Sequence, residues 1–302
     1  MPSLSHAAIV AALTHTPVRR FADDDAGMDA EMHAAQLRPR RFAPPKSLDR
    51  HVSLRLHRDH GWRTYEMAPW AGSLPAHRVV YFHGGGYVSE VDPHHWGITR
   101  RLSVATPARV LVPIYPLAPG ATADTTVPTA ADIVADVIAE AGDPSLVTIS
   151  GDSAGGGMAL AVAQTLRDRG VPGMDQVTLL LIAPWLDVTM SDPELDPDAT
   201  RDPMLSIPRL RRAGQLYAGE LDLRDPRVSP LFGSVDGLGP MTIFAGTRDL
   251  LVHDARRLRD AATAAGIEVD YHEGEGLIHV WPILRVREAR AARDIMVAAI
   301  RR

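Results

Sequence analysis

The run Gly151-Asp152-Ser153-Ala154-Gly155 places a serine between small residues in a Gly-x-Ser-x-Gly pattern. A serine hydroxyl is a weak nucleophile at its free pKa and needs an adjacent base. Two downstream residues can supply one: Asp249, closing Gly246-Thr247-Arg248-Asp249, and His279, between Ile278 and Val280. Upstream, His83-Gly84-Gly85-Gly86 offers consecutive amides free of side chains. Such amides can be aimed at the oxyanion of a tetrahedral intermediate. Together these types support acyl transfer to a serine. Ser153 would attack a carbonyl and His279 would take its proton. Asp249 would hold the imidazole in the right tautomer. The amides of Gly84, Gly85 and Ala154 would hold the oxyanion, with the part played by Gly86 left open.

These groups need elements to position them. Leu146-Val147-Thr148-Ile149 is a β-rich run leading into the serine turn, and Met158, Leu160, Ala161, Val162 and Leu166 follow at helical spacing. Strand, tight turn and helix form a nucleophile elbow. Its backbone atoms crowd together, so glycines on both sides remove Cβ atoms that would clash. Residues 78–82 read as a buried strand ending at His83, residues 109–114 and 177–182 as two more, and residues 241–245 as the strand before Asp249. Residues 267–272 read as the last strand, with residues 273–278 as a loop carrying His279. Residues 51–57 alternate as a strand does, and residues 62–67 read as its hairpin partner. Helical pattern falls at residues 96–104, 130–141, 254–265 and 285–300. Strands alternating with helices predict an α/β fold with a mostly parallel central sheet flanked by helices. In such sheets ligands bind beyond the carboxyl ends of the strands, where Ser153, Asp249 and His279 fall.

Two stretches stand outside this alternation. In residues 1–45, Ala7, Ile9, Val10 and Leu13 suggest one helix capped by Ser3 or Ser5. Met28, Met32 and Leu37 suggest a second, starting near Asp24 or Asp25. Residues 188–225 are rich in turn residues, with Ser191 through Asp198 the densest part and a helix expected over residues 210–218 from a start near Ser206. Neither stretch has enough apolar residues for a core of its own, so each must pack on the main body.

Rival readings accompany the site. Asp249 could be an ordinary turn residue and His279 a core histidine; their order after Ser153 is what favours chemistry. Asp254 also follows the strand but lies deeper in the coming helix, so it reads as a first-turn acid. His57, His60, His94 and His95 lack partners at metal-ligand spacing and read as surface histidines. Tyr87 and Trp281 flank the motifs and are candidates for lining a pocket or for core packing.

The chain has 302 residues, 45% of them hydrophobic and 23% charged, which suffices for one large α/β core. A formal charge of −5 gives no electrostatic reason to expect nucleic acid. Without cysteine, thiolate catalysis, disulfides and cysteine metal sites are excluded. The longest apolar run, near residues 177–186, falls short of the roughly 20 residues of a bilayer span. The first arginines, Arg19 and Arg20, follow the first apolar stretch rather than precede it, so no signal peptide and a cytoplasmic location are expected.

HGGGY from His83, the Tyr115-x-Leu-Ala-Pro119 pattern, GDSAGG from Gly151, Asp249-Leu250-Leu251 and His279 together resemble the hormone-sensitive-lipase-like esterases, bacterial family IV of the α/β-hydrolase superfamily. The resemblance runs from about Val79 to the C-terminus, and the stretches starting at Asp202 and Asp225 look familial too. Where the family has Tyr-Arg-Leu-Ala-Pro-Glu, this chain has Pro116 and Gly120, which puts a structural ion pair in doubt but not the chemistry. The resemblance implies an α/β-hydrolase fold with a helical cap. It divides the chain into N-terminal cap helices (residues 1–45), core (46–187), cap insertion (188–225) and core (226–302). It implies hydrolysis of short- to medium-chain acyl esters, about C2 to C8, without cofactor or metal. The partner expected is a small-molecule ester, with a homodimer left open. A lactone or carbamate hydrolase using the same residues is the alternative. A non-catalytic receptor on this fold is a further one, disfavoured because similar receptors lack the histidine present here as His279.

Overall fold

Beginning at the hairpin, β1 (Val52–Asp59) and β2 (Trp62–Pro69) are antiparallel, joined through His60 and Gly61, both with positive φ. A two-residue connection of that conformation matches the right-handed twist of the paired strands. The remaining strands are β3 (Arg78–Phe82), β4 (Arg109–Ile114), β5 (Val147–Asp152), β6 (Thr178–Ile182), β7 (Met241–Arg248) and β8 (Val269–Ile278). They form one eight-stranded sheet in the order β1-β2-β4-β3-β5-β6-β7-β8, parallel from β4 to β8. This is the architecture expected from the alternation of strands and helices. The structure, a computed structural model, describes residues 2–15, 25–38, 42–70, 76–195 and 202–302. Arg19, Arg20, Asp24 and the Asp196-Pro197-Asp198 part of the turn-rich stretch lie outside them.

Both faces of the sheet are covered, which is why β3, β5 and β6 are buried at nearly every position. On one face lie α4 (Ala123–Ala141), α5 (Ala154–Asp168) and α7 (Val252–Ala264); on the other lie α3 (Pro93–Ala105) and α8 (Ala289–Ile300). The strand order has a functional consequence. From β3 the chain crosses to β4 on one side and returns to β5 on the other, so the connections diverge at the carboxyl ends of β3 and β5. That divergence opens the crevice where open α/β sheets bind ligands.

Two boundaries differ most from the sequence reading. Helix α4 starts at Ala123, seven residues before the expected 130, and runs through Pro128. Burial of Ala123, Thr126 and Val127 compensates the hydrogen bond that Pro128 cannot donate. Strand β8 continues through residues 273–278, which read as a loop in sequence. It stays paired with β7 across Glu273–Ala245 and Gly274–Gly246, then through an irregularity to Ile278–Arg248. Gly274 and Gly276 obscure the strand in sequence and permit the bulge in space. His279 therefore follows a strand end directly.

The two stretches outside the alternation are helical where described. α1 (Leu4–His15) has Ser3 at its start, whose Oγ accepts the His6 N–H, and its Ile9, Val10 and Leu13 lie against the α3/α8 layer. α2 (Asp25–Leu37) meets α6 (Ile207–Ala218). Arg212 grips Asp29 through two N–H···O bonds of 2.7 and 2.6 Å, Arg209 reaches Glu31 at 2.9 Å, and Met28 and Met32 are buried. Among the described residues no helix is long and apolar enough to cross a membrane.

Candidate active site

Ser153 sits between β5 and α5 with φ 53° and ψ −122°, a conformation that costs a non-glycine residue about 1–3 kcal/mol and needs surrounding structure to hold it. Neighbouring strands supply that hold. Ser153 N–H donates to the Ile182 carbonyl at the end of β6, and Trp185 N–H donates to the Ser153 carbonyl, both at 2.9 Å. The flanking glycines are sterically required. A Cβ on Gly151 would lie 2.2 Å from the Gly155 carbonyl oxygen, and one on Gly155 would lie 2.0 Å from that of Phe82. The elbow leaves Ser153 7% exposed while Asp152 and Ala154 are sealed.

Register sets the neighbour of this elbow. Phe82 at the end of β3 pairs with Gly151, so His83-Gly84-Gly85-Gly86 emerges beside the serine turn. Asp152 binds the two together. Its Oδ1 accepts the Gly84 N–H at 3.1 Å and the Tyr81 hydroxyl at 2.7 Å. Its Oδ2 lies 3.2 Å from His95 Nε2. His95 Nδ1 lies 2.9 Å from the Asp92 backbone nitrogen; burial works against charge on the ring, but Asp152 and Asp92 outweigh it and raise His95 to about 10, so Nε2 carries a proton toward Asp152. Burial alone would raise the Asp152 pKa; the His95 and Tyr81 partners outweigh it and keep the carboxyl below its usual range. His83 stacks on Tyr115 with ring centroids 4.2 Å apart, and the Tyr115 hydroxyl donates to the His83 carbonyl. Burial, with His95 nearby, lowers His83 to about 4, so the ring is neutral and donates from Nδ1 to the Gly84 carbonyl at 2.7 Å.

This geometry corrects one sequence expectation. The Gly84 N–H is committed to Asp152 and is not available to an oxyanion. Gly85 (φ 116°) and Gly86 (φ 62°) turn the chain away from β3, and among the described residues their N–H groups have no acceptor. Ala154, the first residue of α5, likewise has a free N–H, as helix starts do.

Asp249 follows β7 and His279 follows β8, the adjacent strand. The two are brought together: His279 Nδ1 donates to Asp249 Oδ2 at 2.8 Å, with Asp249 fully buried and His279 nearly so. The Leu251 N–H occupies Asp249 Oδ1 at 2.9 Å. Burial pushes the His279 pKa down, but the carboxylates of Asp249, Asp202 and Asp152 outweigh it and leave the imidazole more basic than usual.

Asp254 behaves as the first-turn acid it reads as. It is buried in the first turn of α7 and accepts the N–H groups of Leu186 and Asp187 at 3.2 and 3.0 Å. Burial and the nearby Asp187 raise it to about 7. Tyr87 and Trp281 both belong to the core. Tyr87 stacks on Tyr217 at 3.6 Å, and Trp281 donates from Nε1 to the Ala245 carbonyl at 2.9 Å with its edge against Phe244. Of the histidines read as surface residues, His57 and His60 are paired with Glu66 and Asp136, whereas His95 is buried on Asp152.

Residues missed from sequence form the supporting layer. Tyr81 and His95 tie the elbow to the glycine loop, and Asp202 lies beside Asp249 and His279. His6, from α1, accepts the Ile278 N–H at 3.3 Å, one residue before His279. Asp202 stands in a stretch that looks familial, but no motif or period marks its partner.

Comparison with known proteins adds four matches. A family model described as the alpha/beta hydrolase fold matches residues 79–283. An acetyl-hydrolase of Streptomyces hygroscopicus is 33% identical over 227 residues, covering 74% of this chain and 75% of its own. A triacylglycerol lipase of Mycobacterium tuberculosis is 34% identical over 228 residues, 74% of this chain but 47% of that protein. Among solved structures, the hormone-sensitive-lipase homologue EstE7 from a metagenome library matches with a TM-score of 0.81 and 26% identity, over 99% of this chain and 98% of its own.

Proposed function

The chain belongs to the α/β-hydrolase family, among its hormone-sensitive-lipase-like carboxylic ester hydrolases, and from that premise we propose that it is a serine carboxylesterase working through Ser153, His279 and Asp249. The observation that carries this reading is the buried 2.8 Å contact between His279 and Asp249, at the same carboxyl end of the sheet as a strained serine elbow. Ser153 Oγ attacks the ester carbonyl as His279 Nε2 accepts its proton. The negative charge on the carbonyl oxygen is met by the N–H groups of Gly85, Gly86 and Ala154. His279 passes the proton to the leaving alkoxide, leaving an acyl group on Ser153. A water then attacks, giving up its proton to His279, and the acid is released as Ser153 Oγ recovers that proton. Asp249 stays ionised, holds Nδ1–H and stabilises the imidazolium in both halves.

Residues 1–45 and 188–225 are proposed to form a cap. In support, α2 and α6 are joined by paired charges, and α6 stands beside the glycine loop. Tyr217 stacks on Tyr87, and Ala213 Cβ lies 3.9 Å from where a Gly86 Cβ would be. A cap there encloses the acyl group and limits its length. We therefore propose short- to medium-chain acyl esters, about C2 to C8, as substrates. Within that range each methylene accommodated adds about 0.8 kcal/mol until the enclosure ends. A panel of acyl esters from C2 to C16, with lactones and carbamates, tests this. The expected profile peaks below about C8. Fastest turnover on emulsified long-chain triglyceride would refute the enclosure, and fastest turnover on a lactone or carbamate would favour that alternative.

The direction of the His279 shift gives a second prediction. The base must be neutral to accept the serine proton, and its pKa stands above 6.5. Activity is then full above that raised value and lost as pH falls through it. The acid limb of kcat/KM, which reports the free enzyme, is expected above pH 6.5. A limb below pH 6 would contradict the arrangement of carboxylates around the imidazole.

A further inference from the structure

Asp202 precedes α6 and is nearly fully buried, an unusual setting for a carboxylate. Its two oxygens face two different segments. Oδ1 accepts the N–H groups of Met204 and Leu205, at 2.7 and 3.0 Å, and so shapes its own turn. Oδ2 accepts the N–H of Leu250, at 3.0 Å, the residue directly after Asp249. The next amide, that of Leu251, goes to Asp249 itself. Two carboxylates therefore divide two consecutive amides of one short segment, and the charges of both act on one imidazole.

We propose that Asp202 is a positioning residue for the Asp249–His279 pair: it holds the acid's segment through Leu250, and its charge favours the protonated form of His279. The inference rests on the reading of Asp249 and His279 as acid and base. Its physical basis is that a second negative charge in a water-poor site stabilises a nearby cation. The imidazolium is the species formed whenever Ser153 gives up its proton, so the charge acts when the barrier is crossed. The titratable groups acting on His279 are Asp249, Asp202 and Asp152; those acting on Asp202 are Asp249 and His279. Burial and Asp249 raise Asp202 to about 6, so it is ionised over the range where His279 works as a base. Because Asp202 leads into α6, the same residue links the proposed cap to the acid.

The test compares Asp202→Asn and Asp202→Ser with the wild-type protein. Both remove the charge, and serine can still close the local turn. The acid limb is read in two ways: from kcat/KM on a short ester, and from the rate at which a small fluorophosphonate labels the nucleophile. The expected result is a shift of both limbs to lower pH, with plateau kcat reduced by up to about 10²-fold as the acid is displaced. The proposal is overturned if both limbs stay in place while only KM changes, which is what a purely structural turn would do. Failure of both variants to fold would also overturn it, by assigning Asp202 to stability. Asp249→Asn, run in parallel, separates the two readings. If it remains active, the assignment of acid and base is itself wrong. If it is inactive while the Asp202 limbs do not move, only the present inference fails.

Discussion

Asp249→Asn is expected to lower kcat by about 10⁴-fold in a protein that folds normally. The change is nearly isosteric, and Oδ1 still accepts the Leu251 N–H, so the segment keeps its shape. What changes is the group facing His279 Nδ1. An amide NH₂ there donates, so Nδ1 must present its lone pair and the ring proton moves to Nε2. A base with its proton on the wrong nitrogen cannot take one from Ser153. The factor corresponds to about 5.5 kcal/mol of barrier. Asp254→Asn is the matched control, since Asp254 follows the same strand but serves the Leu186 and Asp187 amides. It is expected to alter stability and leave kcat within a few fold. Steady-state kinetics with thermal melts on both variants decide the matter. Reversed results would make Asp254 the acid.

Ser153→Ala is expected to abolish turnover almost completely, on the order of 10⁶-fold, as removal of the nucleophile does where base and oxyanion donors cannot act without it. The protein should remain folded. Alanine accepts the same backbone conformation no worse than serine, and the bonds that pin the elbow, to Ile182 and from Trp185, are made by backbone atoms. The measurement pairs residual hydrolysis with mass-spectrometric mapping of a fluorophosphonate adduct. Wild-type protein should carry one adduct on Ser153 and the variant none. An adduct on a different serine, or turnover within 100-fold of wild type, would remove Ser153 from the mechanism.

Most of what acts at short range in this molecule can be read along the chain. The crowding at Gly151 and Gly155 is a property of any strand that turns at once into a helix, so the glycines declare the elbow before it is seen. Ser153 and Asp249 can be read because each follows a strand buried along most of its length, and such runs are legible one at a time, whereas His279 follows a mostly polar, half-exposed strand and is read from its order after the other two. The same logic explains the misreadings. Gly274 and Gly276 look like a loop because a strand tolerates them only where a bulge is paired with a neighbour, and the neighbour is not in the local sequence. The first turns of α4 are missed because Pro128 carries a local cost, whereas the compensation from burying Ala123, Thr126 and Val127 is tertiary.

By itself, the sequence determined the alternating α/β architecture, the elbow, and the three residues that could act together, since all depend on steric crowding and apolar periodicity within a few residues. Tertiary structure alone decided which glycine amides remain free. Parallel pairing of β3 with β5 sets Asp152 beside Gly84 and commits that N–H, leaving Gly85 and Gly86. It also decided the residues behind the site: His95 and Tyr81 on Asp152, His6 on Ile278, and Asp202 on Leu250. These are polar groups meeting across 48 to 272 residues of chain. A buried polar atom must find a partner but carries no local mark of which one it will find, so only the folded chain can assign it.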